Sequence, residues 1–232
     1  MSVRAGNHYS FKQDIKEFRT LSLRGKGHFL WDYYKLWIIG IVCFVSIAVF
    51  LTVKISTGLD GYWCYVGFVN TRAQVGDDSS LHDEFVEYGG YDLSIKGVEF
   101  NNALYFDYTD NSARGNTYYE MFVALVDSGV LDCAVMETDA LVAFGQSGRF
   151  YDLSSPECAS IMEKYGDRIL YCEPNDTEYS SNPVPVGIDL SGSILDTDYD
   201  LYEGSFALGI GASTANMDAV EQFLDFIFAE AD

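Results

Sequence analysis

Tyr62-Trp-Cys-Tyr-Val-Gly-Phe-Val69 is a near-continuous run of apolar, aromatic and β-branched residues. A run this short, with no polar residue at alternate positions, predicts a strand buried on both faces, as in a parallel sheet covered by helices. Leu131-Asp-Cys-Ala-Val-Met136 has the same character and predicts a second buried strand, adjacent or nearly so to the first. Between them, Ser79-Ser80 precede a short helix, Leu81 to Tyr88, that Gly89 ends. Val98 to Asp107 reads as a strand broken at Asn101-Asn102. Thr117 to Ser128 carries Tyr118, Met121, Phe122, Leu125 and Val126 at helical spacing and closes at Gly129. This helix is expected to pack across the two buried strands. Thr138 or Asp139 caps the next helix, toward Phe144.

The alternation continues to the end of the chain. Pro156 suits the first position of a helix running to Tyr165, and Arg168 to Cys172 reads as a strand. Asn175 to Pro185 is loop-like. Val186 to Leu190 and Phe206 to Ile210 are strands, and Asn216 caps a last helix with Val220, Phe223, Leu224 and Ile227 on one face. Strands alternating with helices predict an α/β domain with a largely parallel or mixed sheet flanked by helices.

Ahead of this domain lies Leu36-Trp-Ile-Ile-Gly-Ile-Val-Cys-Phe-Val-Ser-Ile-Ala-Val-Phe-Leu-Thr-Val53, uncharged and closed by Lys35 and Lys54. Its length suffices for a transmembrane helix. Residues 1–35 carry seven basic and three acidic residues, net +4; residues 54–232 carry the other seven basic and 32 acidic, net −25. Positive charge stays cytoplasmic, so the expected layout is a basic cytoplasmic segment 1–35, a span 36–53 and an acidic extracellular domain 54–232. Trp31, Tyr33, Tyr34 and Trp37 suit an inner aromatic belt. The long basic start, and the lack of a small-residue cleavage site before Gly58, point to an uncleaved signal anchor. Phe11, Ile15, Phe18, Leu21 and Leu23 permit an amphipathic helix on anionic lipid.

Four of the five cysteines, Cys64, Cys133, Cys158 and Cys172, fall in the external part. Two readings stand: a Cys158–Cys172 disulfide joining a helix to the strand after it, or four buried free thiols.

Gly129-Val-Leu-Asp-Cys-Ala-Val-Met-Glu-Thr-Asp-Ala-Leu-Val-Ala-Phe-Gly-Gln-Ser-Gly-Arg-Phe-Tyr-Asp-Leu153 resembles the strand, helix and "G-x-apolar-x-D-L" stretch of periplasmic-binding-protein-like domains of the type II class. Ser205-Phe-Ala-Leu-Gly-Ile-Gly-Ala-Ser213 through Asn216 to Phe228 resembles that family's return strand and closing helix. Trp31-Asp-Tyr-Tyr-Lys35 is similar to the start of single-span membrane proteins of unknown function from Firmicutes and related Gram-positive bacteria. The resemblance implies a reduced solute-binding-protein-like domain. Such a domain would be a tethered module that holds a small solute, linked to an ABC-type importer. The alternative is a structural or protein-interaction module of the envelope that keeps the fold without a ligand.

Catalytic signatures are absent from the sequence. His82 is the one histidine in the external part, set in an acidic helix where an exposed polar role is expected, and there is no CxxC, HExxH or phosphate-cradling glycine loop. Asp196 to Glu203 is rich in carboxylates, but EF-hand spacing fails at Leu201 and Ala207, so no metal site is expected there. Asn175-Asp-Thr177 matches a glycosylation sequon. The charge disfavours nucleic acid. The expected function is therefore non-enzymatic and cofactor-free, with the bilayer, a small solute or membrane proteins as partners. Any solute would meet the strand ends: Asn70 and Thr71, then Glu137, Thr138 and Asp139, then Ser213 and Thr214. The helix opening at Thr138 suits an anion and the adjacent carboxylates a cation; equally, Asp139 is an N-cap and Ser213 to Asn216 a capping turn.

Overall fold

The computed structural model describes residues 20–57, 61–109, 115–174 and 182–229. The sequon at 175–177 and the amphipathic positions Phe11, Ile15 and Phe18 lie outside them. The chain forms two compact units, 1–58 and 59–232.

In the first unit, α1 runs Leu23–Thr57, 35 residues. Its described side chains are mostly apolar and exposed between Leu36 and Phe50. The side chains of residues 38 and 51–57 lie outside the description, and among the described residues no helix is long and apolar enough to cross a membrane.

The second unit is a helix-flanked mixed sheet, with β1 Tyr62–Val69, α2 Ser80–Gly89, β2 Gly97–Leu104, α3 Thr117–Asp127, β3 Cys133–Glu137 and α4 Thr138–Gln146 in its first half. The second half holds α5 Ala159–Tyr165, β4 Ile169–Cys172, β5 Val184–Asp189, α6 Ile194–Thr197, β6 Phe206–Ile210 and α7 Met217–Ile227. Strand order is β2-β1-β3-β6-β5-β4. β2, β1 and β3 run parallel; β6 is antiparallel to β3 and β5, and β4 to β5.

Period-2 alternation sorts each strand between two cores. Cys64, Val66 and Phe68 of β1, Cys133 and Val135 of β3, and Phe206, Leu208 and Ile210 of β6 join α2, α5 and α7 on one face. Tyr65 and Val69, Ala134 and Met136, and Ala207 join α3 and α4 on the other. The two parallel crossovers, β1 to β2 through α2 and β2 back past β1 to β3 through α3, run in opposite directions across the sheet, so their helices cover opposite faces. The expected two-sided burial of β1 and β3, side by side, is therefore present, while α3 contacts β2 most directly.

Local differences have local causes. α2 includes Gly89 and is capped by Gly90, which takes the left-handed conformation (φ 62°) and whose N–H meets carbonyls of the last turn. β2 is one strand, Gly97–Leu104, and the expected break appears as a slip in its pairing with β1: Gly67 pairs with Asn101 but Val69 with Leu104. Pro156 opens a 3-10 turn, Pro156–Cys158, before α5.

The Cys158–Cys172 disulfide does not form: all five cysteines are free. Alternation along β4 is the reason. It turns Leu170 and Cys172 toward the α4 face, whereas Cys158 is packed on the opposite side of the sheet.

His82 is buried, 6% exposed, which corrects the expected exposed role. Its Nε2 lies 3.2 Å from Val98 O, and Asp77 Oδ1 accepts from Phe100 N–H at 2.7 Å. Both groups meet backbone of β2, the edge strand, on the side that no strand among the described residues pairs. His82 and Asp77 thus blunt an edge that would otherwise invite another chain.

Candidate functional site

Strand order places the site. β1 crosses to β2 on one side and the chain then returns past β1 to β3, so the order reverses between β1 and β3. In open α/β sheets the ligand crevice opens at such a point, beyond the carboxyl ends of the strands. Asn70, Thr71, Glu137, Thr138 and Asp139 do gather there, following β1 and β3.

Their side chains are mostly committed to the chain itself. Asn70 sits at φ 57°, a conformation asparagine tolerates. Its Oδ1 accepts from Phe106 N–H at 2.9 Å and its Nδ2 donates to Phe106 O at 2.8 Å, extending the β1–β2 pairing beyond the strands. Thr71 is 2% exposed; its hydroxyl donates to Leu201 O and accepts from Ala73 N–H. Glu137, at the N-cap position of α4, makes no side-chain cap bond, so neither Thr138 nor Asp139 is the cap. The Thr138 hydroxyl is enclosed and unpartnered. Glu137 and Asp139 are exposed. Nearby Tyr108 is held above its ordinary pKa by burial and then by the charges of Asp139 and Glu137.

The crevice is occupied by Tyr202. Its ring is 5% exposed, and its hydroxyl lies 2.8 Å from Val69 O of β1 and 2.9 Å from Val135 O of β3. One phenolic proton is shared between two carbonyls that bracket the reversal. Burial, then the charge of Glu137, pushes Tyr202 well above its ordinary pKa, so it stays a donor. Leu201 locks the plug: its carbonyl accepts from Arg72 N–H at 3.1 Å and from the Thr71 hydroxyl. Tyr202 carries no signal in the sequence, where it is one tyrosine in an acidic stretch.

Ser213 and Thr214 lie at the opposite end of the sheet. β6 is antiparallel, pairing Ile210 with Cys133 and Phe206 with Glu137, so its carboxyl end sits where β3 begins. There Asp132, 0% exposed, accepts from Tyr65 N–H at 2.8 Å, the Thr214 hydroxyl at 2.5 Å and Asn216 Nδ2 at 3.2 and 3.3 Å. Burial raises the Asp132 pKa, and the three donors oppose it. Asn216 heads α7 without a side-chain cap bond, and its Nδ2 donates to Asp132. The group is a fully satisfied clasp of β1, β3 and α7; the expectation that Ser213 and Thr214 would face a solute with Asn70 and Thr138 fails because β6 runs antiparallel.

Two of the cavities among the described residues flank these groups. One, about 130 Å³, is lined by Tyr108, Tyr119, Phe144 and Arg149; another, about 320 Å³, by Trp63, Tyr91, Asn216 and Gln222. Neither is lined by a predicted ligand residue. Among the described residues no cluster of three or more histidine, cysteine or acidic side chains has metal-binding geometry.

No family model, curated protein or solved structure matches the chain.

Proposed function

We propose that this chain is a single-pass cell-membrane protein, with residues 1–35 cytoplasmic and Leu36–Val53 spanning the bilayer. Its acidic domain stands outside as an interaction module, built on a periplasmic-binding-protein-like (type II) sheet whose crevice the chain has filled itself. Two facts support the anchor: the +4 against −25 charge split, and the exposure of Leu36, Trp37, Phe44 and Phe50 at 77, 74, 73 and 62%. A contiguous apolar surface of that kind needs lipid or protein cover.

The Tyr202 plug carries the functional reading. A receptor crevice keeps its polar groups free for solute. Here the chain's own phenol takes the carbonyls of Val69 and Val135, and Asn70 and Thr71 serve backbone. The partners that remain are proteins of the membrane or envelope, met through the surface.

The second reading is a tethered solute receptor feeding an ABC-type importer. It draws on the exposed carboxylates of Glu137 and Asp139 at the same strand ends. Thermal unfolding of the full chain with amino acids, peptides, sugars, polyamines and metal ions separates the two. A ligand at a hundred times its Kd adds about 2.7 kcal/mol. The interaction-module reading expects no stabilisation. A shift that disappears in Glu137→Ala with Thr138→Ala would restore the receptor. Topology has its own test: a membrane-impermeant thiol reagent on intact cells should label Glu84→Cys and spare Gly25→Cys.

A further inference from the structure

The end of the sheet where β1 begins exposes two aliphatic side chains, Leu93 and Ile95, close together in sequence. β1 and β2 start side by side, with Tyr62 opposite Gly97 and Gly97 N–H donating to Gly61 O at 3.0 Å. The turn leading into β2, residues 92–96, folds against Trp63. Trp63 Nε1 donates to Asp92 O at 3.1 Å, its ring stacks on Tyr91 at 6.1 Å between centroids, and Lys96 Nζ lies 4.9 Å from its centroid. The Asp92 carboxylate accepts from the Ser94 hydroxyl at 2.6 Å and Ser94 N–H at 2.9 Å. With the turn pinned in this way, Leu93 and Ile95 stand 43% and 50% exposed.

Two aliphatic tips, an aromatic pair and a lysine, with the exposed Asp92 carboxylate bonded to Ser94, form a composition that settles into a headgroup layer with apolar atoms below and polar atoms at the water boundary. Covalent connection names the occupant. Beyond Val53, where the proposed span ends, four residues complete α1, about 6 Å of helix, and residues 58–61 then lead to β1, a connection that extends at most about 18 Å. Charge attraction is not the driving force, because residues 54–232 carry net −25. Apolar insertion remains.

We propose that the 92–96 turn, together with Trp63, docks into the outer headgroup layer of the bilayer that Leu36–Val53 spans; this rests on the anchor proposed above.

The test uses the full chain in phosphatidylcholine nanodiscs, with lipids brominated near the headgroup end of the acyl chains as quencher. Trp31, Trp37 and Trp63 are the three tryptophans. Trp31→Phe with Trp37→Phe reports on Trp63 alone, and Trp31→Phe with Trp63→Phe on Trp37 alone. Docking expects a loss of Trp63 emission in brominated lipid, unchanged by added salt and removed by Leu93→Ser with Ile95→Ser, exposed positions whose replacement leaves the melting temperature in place. Trp63 unquenched beside a quenched Trp37 overturns docking and leaves the anchor standing. Trp63 quenching that survives the double serine variant overturns the role of the turn. Both tryptophans unquenched overturns anchor and docking together. A Trp63 protected only as protein concentration rises, without bromine quenching, assigns the surface to a second copy and overturns the lipid proposal.

Discussion

Tyr202 offers the sharpest test of how the crevice is closed. Tyr202→Phe removes one hydroxyl and leaves the ring, so Val69 O and Val135 O lose a shared buried donor. A buried acceptor left without its partner costs about 1–2 kcal/mol. Tyr202→Ala also removes a ring packed at 4.9 Å from Phe206 and leaves a cavity, for about 3–5 kcal/mol. For a domain of this size each kcal/mol lowers Tm by about 2–4 °C. Thermal unfolding of the full chain should therefore show a fall of a few degrees for the phenylalanine variant and roughly 10 °C or more for the alanine variant. Added phenol should then raise the Tm of Tyr202→Ala, while toluene, which fills space but donates no proton, should raise it less. Neither should act on the parent chain. A Tyr202→Phe variant as stable as the parent, or an alanine variant indifferent to phenol, would refute the account of a hydrogen-bonded plug.

Three further outcomes follow from buried polar groups. Asp132→Ala should cost about 2–5 kcal/mol in denaturant unfolding, because Tyr65 N–H is left buried and unpaired while Thr214 and Asn216 lose a charged acceptor. Glu99 is held above its ordinary pKa by burial, then by the charge of Asp77 and a hydrogen bond to it. The folded state therefore binds the proton more tightly than the unfolded one, and stability present at acid pH is lost as pH rises through the folded pKa. Glu99→Gln should flatten that fall and stabilise the protein at pH 7 in a pH series of melts; an unchanged pH profile would exclude Glu99 as its source. Burial raises Cys158 to about 11 and Cys133 well above the ordinary thiol value. Both should resist native alkylation, and all five cysteines should take label once the chain is denatured without reductant; a protected Cys158 and Cys172 pair would contradict the arrangement of the two cores.

The sequence by itself determined the elements. β1 and β3 could be read because an uninterrupted apolar run has one economical place, a strand covered on both faces, and that requirement is local. The same holds for the apolar stripes of α3 and α7, and for the charge contrast on which the proposed anchor rests. Tertiary structure alone decided what meets at each end of the sheet. Strand direction depends on a long connection whose course no periodicity records: β6 returns antiparallel, which carries Ser213 and Thr214 away from Asn70 and Thr71 and delivers Thr214 and Asn216 to Asp132. The face of a four-residue strand likewise decides whether Cys172 can reach Cys158. His82 is buried because an unpaired edge carbonyl lies beside its helix, and Tyr202 matters because two carbonyls far from it in sequence come together at one point in space. A hydrogen bond to a distant backbone leaves no mark on its neighbours in the chain, so these contacts exist only once the sheet has assembled.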